Sequence, residues 1–139
     1  MIVVDASLGV KWFLDEPFSA EAAALLASGE EMLAPALFHI EVASTLVREA
    51  NIDKALAEPM RLALDGLEGL IASAAVRLVA TEPESLGASA AMAISIGHPL
   101  KDCIYLALAM ELGCDLITCD ARFAAKARGV WARVRVLVE

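Results

Sequence analysis

The stretch MIVVDASLGVKWF, residues 1–13, decides how the rest of the chain is read. Ile2, Val3 and Val4 form a short, β-branched apolar run that suits a strand buried on both faces. Asp5 follows at once, so a charge stands where that strand surfaces. Ser7, two residues on, is a plausible N-cap for a helix reaching to about residue 14. A buried strand that ends on an acid and turns into a helix is the opening of a βαβ unit.

The same alternation continues to the end of the chain. Short strands are expected at 2–5, 31–35, 76–80, 115–120 and 133–138. Between them, Ser19 can cap a helix running through Ala27 and closed by Gly29. Leu37, Ile40, Ala43, Leu46 and Val47 recur at helical spacing over 36–49. Residues 52–72 are helical in pattern with a break or restart near Glu58, because Pro59 lacks a backbone donor. Pro83 can open a helix that Gly97 and Pro99 end, Gly113 stops another begun at Lys101, and a short one covers 121–127. Strands separated by helices of this length predict an α/β fold, a three-layer α/β/α sandwich around a mostly parallel sheet of about five strands. Such doubly wound sheets bind ligands beyond the carboxyl ends of their strands, at a topological switch point. Asp5 and Asp120 both end strands at that edge.

Length, composition and charge narrow the setting. At 139 residues the chain is expected to form a single domain, 1–139, with a core large enough to fold without disulfide or structural metal. Its hydrophobic share of 59% exceeds the usual ~45–50%, chiefly through alanine and aliphatic residues, which leaves apolar surface for partners. No uncharged apolar run approaches the ~18 residues of a membrane span. The N-terminal strand lacks the basic region and cleavage site of a secretory signal, so no membrane role and a cytoplasmic location are expected. Cys103, Cys114 and Cys119 fit neither a disulfide framework nor a zinc ribbon and are expected to be reduced and mostly buried. A net charge of −8 argues against passive nucleic-acid binding through a basic face, unless bound cations reverse the sign locally.

Four acids stand in positions that capping alone explains poorly as a set. Asp5 and Asp120 lie at strand-to-helix junctions, where aspartate commonly caps the helix. Asp102 lies in the first turn of the helix KDCIYLALAMEL, a position favoured by the helix dipole. Glu41 is the single carboxylate in PALFHIEVAST (35–45), a segment otherwise coded for burial, and buried carboxylates are rare unless paired. Should all four converge, neighbours about 4 Å apart would repel by roughly 4 kcal/mol per pair at an effective dielectric near 20. Protons or a bound cation would relieve that. Oxygen-only donors suit Mg²⁺ or Mn²⁺, and no histidine and cysteine cluster is apparent for a softer metal.

These residues carry a family resemblance. VVDAS followed by LGVKWFLDEP, then HIEVASTL, PLKDCIYLALA and LITCDARF, resemble in order and interval the motifs of PIN-domain proteins, in particular the VapC toxins of type II toxin–antitoxin pairs. The likeness covers nearly the whole chain. It implies a ribonuclease whose acidic quartet is Asp5, Glu41, Asp102 and Asp120, holding Mg²⁺ or alternatively Mn²⁺. Ser7 and Thr118 correspond to small hydroxyl positions that support the carboxylates. Ser44 stands where the family commonly has asparagine, keeping a hydrogen-bonding group with shorter reach. The resemblance also implies an RNA substrate, a cognate antitoxin lying along an apolar groove, and a homodimer. Exposed aliphatic residues for that groove are sought on the helices at 19–28 and 36–49. His39 and His98 are then read as structural or surface residues, and Trp12, Phe13, Phe38 and Tyr105 as core or interface packing. Lys11, Lys101, Arg122 and Lys126 could line an RNA-binding rim.

Other classes fit less well. A haloacid-dehalogenase-like phosphatase would need a second aspartate two residues after the first, where Ser7 stands. A receiver-like signalling domain normally pairs acids after strand one and has a lysine ending its last strand, and neither is found. HIE at 39–41 lacks the Pro-Cys-x-x-Cys that a zinc deaminase requires.

Overall fold

The apolar run that opens the chain folds as β1 (Ile2–Val4), a strand of three residues that is wholly buried and lies at the centre of its sheet. The computed structural model describes residues 1–138. The remaining strands are β2 (Met32–Pro35), β3 (Val76–Val79), β4 (Asp115–Thr118) and β5 (Val134–Val136), all paired in parallel in the order β3-β2-β1-β4-β5. Ile2 is in register with Met32 on one side and Asp115 on the other, so the ends of β1 and β4 are brought level.

Seven helices connect the strands among the described residues: α1 (Ala6–Gly9), α2 (Ser19–Ala27), α3 (Leu37–Ile52), α4 (Ala57–Ala72), α5 (Pro83–Ile96), α6 (Leu100–Leu112) and α7 (Ala121–Ala127). The chain steps from β1 to β2 to β3 in one direction and then returns across β1 to β4 and β5. Right-handed crossovers therefore place α1–α4 on one face and α5–α7 on the other, giving the three expected layers. Helix α6 packs on β1, β2 and β4, while α3 packs against α1, α4 and β2. The core between them is built from Val3, Val4, Leu8, Phe38, Val42, Leu46, Leu106 and Phe123, each fully buried.

Several local expectations are corrected. Asp5 rather than Ser7 caps α1, and the helix ends at Gly9, passing into a 3-10 turn Val10–Trp12. Ser19 is the first residue of α2, with Phe18 at the cap in the left-handed region; its hydroxyl donates to the Leu14 carbonyl and accepts from the Glu16 N–H. The expected restart near Glu58 is found, since α4 begins at Ala57 after a 3-10 turn at Lys54–Leu56, and Pro59 falls in its first turn, where backbone donors have no helical partner. Helix α3 runs three residues past the expected 36–49 limit, to Ile52. The cysteines are free, Cys103 and Cys114 buried and Cys119 half-buried. Among the described residues no helix is long and apolar enough to cross a membrane.

One glycine has a packing reason. A Cβ on Gly9 would lie 2.6 Å from two ring carbons of Phe38, so α1 and α3 approach through the missing side chain. Gly9→Ala is expected to destabilise the protein by about 1–3 kcal/mol through overpacking, read as a lower urea midpoint with an unchanged slope. An unchanged midpoint would mean that the buried Phe38 ring can move aside.

Candidate metal centre

The reversal of strand order opens a gap beyond β1 and β4, and Asp5 is placed at its floor. Its backbone N–H still donates to Ile117, at 3.2 Å, so the residue remains tied to the sheet. One carboxylate oxygen, Oδ1, accepts from the Leu8 N–H at 3.2 Å and the Ser7 hydroxyl at 2.5 Å, while Oδ2 accepts from the Thr118 hydroxyl at 2.5 Å. Ser7 Oγ in turn accepts from the Cys119 N–H at 2.9 Å, and Thr118 Oγ1 from the Asp120 N–H at 3.0 Å. Two hydroxyls thus stitch the end of β1 to the end of β4. Asp5 is 4% exposed. Burial pushes its carboxyl up to about 6, against the three hydrogen bonds that favour its charged form, and the nearby Asp102 charge adds to the rise.

The other acids come from three different helices. Asp120 caps α7, with Oδ1 accepting from the Phe123 N–H at 3.0 Å. Glu41, on α3, accepts the Tyr105 hydroxyl on Oε1 at 2.7 Å, and Lys101 Nζ stands 3.8 Å from Oε2. Burial and the Glu41 contact raise the Tyr105 phenol well above its usual range, so it stays protonated as a donor. Asp102, in the first turn of α6, has Oδ2 2.6 Å from His98 Nε2. All four carboxylates of the expected quartet line one cleft of about 340 Å³, with Ser7, Tyr105 and two further acids, Glu16 and Glu49. Thr118 lies beneath, buried against Asp5.

Two positions differ from the sequence reading, and a third gains a setting the sequence did not show. Ser44 is exposed and lines a separate apolar groove beside Ile40 and Val47; the α3 hydroxyl that faces the acids belongs to Thr45. Arg48, overlooked in the sequence, borders both the cleft and the groove. Its signal was the helical spacing Glu41, Thr45, Arg48, Glu49, which puts all four on one face. His98, read as a structural or surface residue, is partly buried on Phe123, and one ligand atom each from His98, Asp102 and Asp120 lie within 4.8 Å of one another. Of the suggested rim cations, Lys11 is held by Glu16 and the Pro17 carbonyl, each at 2.9 Å, and Lys126 by the Gly97 carbonyl at 2.7 Å. Tyr105 and Phe38 are buried as core residues, and Trp12 packs against Phe38 with ring centres 6.2 Å apart.

The donor set fits a divalent cation. Carboxylate oxygens predominate, they approach from four separate elements, and the cleft gathers six acids around one arginine. Hard cations take such ligands, and a positive charge there would offset the burial and the Asp102 repulsion that together raise the Asp5 carboxyl.

The PIN domain family profile matches residues 2–129. The chain is 35% identical over 129 residues to Ribonuclease VapC12 of Mycobacterium tuberculosis, spanning 89% of this chain and 90% of that one. Its fold is similar to that of Mycobacterium tuberculosis VapC20 (Rv2549c), a sarcin-ricin loop cleaving toxin, with TM-score 0.74, 15% identity, and coverage of 90% of this chain and 94% of that one. PAE2754 from Pyrobaculum aerophilum (TM-score 0.67, 20% identity, coverage 98% and 88%) has the same architecture. So does a toxin–antitoxin complex from Klebsiella pneumoniae (TM-score 0.67, 18% identity, coverage 100% and 99%). With the profile spanning β1 to β4 and their connecting helices up to α7, and a ribonuclease relative matched over nine-tenths of both chains, this chain belongs to the PIN-domain family, in its VapC ribonuclease group.

Proposed function

We propose that the chain is a metal-dependent endoribonuclease acting as the toxin of a toxin–antitoxin pair, with Asp5, Glu41, Asp102 and Asp120 holding Mg²⁺. The observation that carries this reading is the convergence of the four carboxylates on one cleft at the strand-order reversal. Asp5, Glu41, Asp102 and Asp120 would hold a divalent cation, which would supply Lewis-acid polarisation of the phosphate, a more acidic water and charge neutralisation at the leaving oxygen. The chain's own residues supply rigidity and placement. Asp5 is fixed by Ser7, Thr118 and the Leu8 N–H; Tyr105 holds Glu41; and α7 anchors Asp120. Arg48, at the mouth, offers a guanidinium to a backbone phosphate.

The antitoxin and the second copy of a homodimer both need apolar surface, and α3 supplies it. Ile40, Val47 and Ile52 are 65%, 47% and 75% exposed, and a groove of about 690 Å³ runs along them. On α2, the other helix considered, Leu25 and Leu26 instead pack against the core.

Asp5→Asn is expected to reduce cleavage of total cellular RNA by more than about 100-fold, and chelation should abolish cleavage until Mg²⁺ is restored. Full cleavage in either case would overturn the proposal. Tyr105→Phe removes the hydroxyl that orients Glu41 and should lower kcat about tenfold while the fold persists; RNA-cleavage kinetics alongside circular dichroism measure this.

The metal-free protein has a further signature. The native carboxyl of Asp5 titrates at about 6 against an ordinary 3.8, so the folded state holds its proton more tightly than the unfolded state. The stability from this group is complete below about pH 4 and is lost as pH rises through about 6. At about 1.4 kcal/mol per pH unit, the span corresponds to about 3 kcal/mol. Urea denaturation in chelator should therefore show the wild type losing stability relative to Asp5→Asn across this window. Parallel curves would place Asp5 in a wetter setting than its burial indicates.

A further inference from the structure

Beside the cleft, two of its acids, Asp102 and Asp120, each offer an oxygen within 4.8 Å of one another and of a nitrogen of His98. His98 lies in the loop between α5 and α6, its side chain 11% exposed, with Nε2 directed at Asp102. The loop is tied down on both sides: Gly97 ends α5 in the left-handed conformation with its carbonyl bonded to Lys126, and Pro99 caps α6. The imidazole stacks on Phe123, ring centres 4.7 Å apart and planes inclined by 27°. The Phe123 N–H also fixes the Asp120 carboxylate. One buried residue of α7 therefore sets both the ring and one of the carboxylates it faces. A ligand separation of at most 4.8 Å suits a single cation bonded to all three at about 2.0–2.2 Å, since opposed donors then stand about 4 Å apart.

We propose that His98 is a metal ligand, forming with Asp102 and Asp120 a nitrogen-containing site that favours first-row transition cations such as Mn²⁺ and Co²⁺ over Mg²⁺. This rests on reading Asp102 and Asp120 as ligands and extends that set beyond the four carboxylates. The chemical ground is donor type. Mg²⁺ prefers oxygen and keeps several waters, whereas imidazole suits borderline cations higher in the affinity order. A hydrogen bond from His98 to Asp102 holds the two donors together in the metal-free chain, and a cation would replace that proton between them.

The test uses the full chain stripped of metal and titrated with Mn²⁺, with pulsed electron paramagnetic resonance reading nitrogen coupling to the bound ion. Wild type should show an imidazole nitrogen. His98→Ala and His98→Gln should lose that signal, with Mn²⁺ affinity falling about tenfold or more and Mg²⁺ affinity, read by competition, unchanged. His98→Gln keeps a side chain able to bond Asp102, so it separates ligation from support and remains decisive if His98→Ala misfolds. Mn²⁺ bound without nitrogen coupling, or with full affinity in His98→Gln, would overturn the proposal and leave an oxygen-only quartet standing. Failure of wild type to bind Mn²⁺ at all would overturn both readings, and undiminished RNA cleavage by Asp5→Asn would overturn the quartet.

Discussion

The Asp5 carboxylate is held out of water between the ends of β1 and β4, and the arrangement of the whole carboxyl edge follows from keeping it there. A buried carboxylate is tolerated only when hydrogen-bonded or paired, because its charged form forfeits hydration. Three donors meet the need, and two of them, the hydroxyls of Ser7 and Thr118, accept backbone N–H groups of residues 119 and 120 as well. The bonds that satisfy the acid therefore also fix the turn from β4 into α7, and with it Asp120. The registers of β1 and β4 leave no slack, since a slip of one residue would turn every buried side chain of β1 to the opposite face.

Charge is distributed to match. The cleft collects six carboxylates around Arg48, while Lys11 and Lys126 are committed to neighbouring acceptors. An acidic chain with so few cations at its mouth does not attract a polyanion by its own field. Affinity for RNA in the proposed function depends on the cation first, which makes metal loading a precondition of substrate binding as well as of chemistry.

Most of this was readable from the residues. Strand positions followed from short β-branched runs, and a mostly parallel sheet of about five strands from their alternation with helices. The four acids were findable because each stood at a strand end or amid apolar neighbours. What escaped had physical reasons. Capping by Asp5 and by Ser7 was locally equivalent, and only the approach of Thr118, distant in sequence, decides that Asp5 takes the role. Ser44 and Thr45 are adjacent on a helix, so about 100° of rotation separates the groove from the cleft. His98 lies outside any helix, so no periodicity connects it to Asp102, although the two stand four residues apart.

The close contact of Gly9 with Phe38 bears on the cleft as well as on the core. Gly9 stands one helical turn beyond Asp5, and Phe38 one turn before Glu41, so the seam where α1 meets α3 lies directly behind two of the four carboxylates. The gauge of the acidic cleft is set there by an atom the chain does without. Any residue larger than glycine would act as a shim between the two helices, altering the spacing of oxygens whose chemistry it never touches.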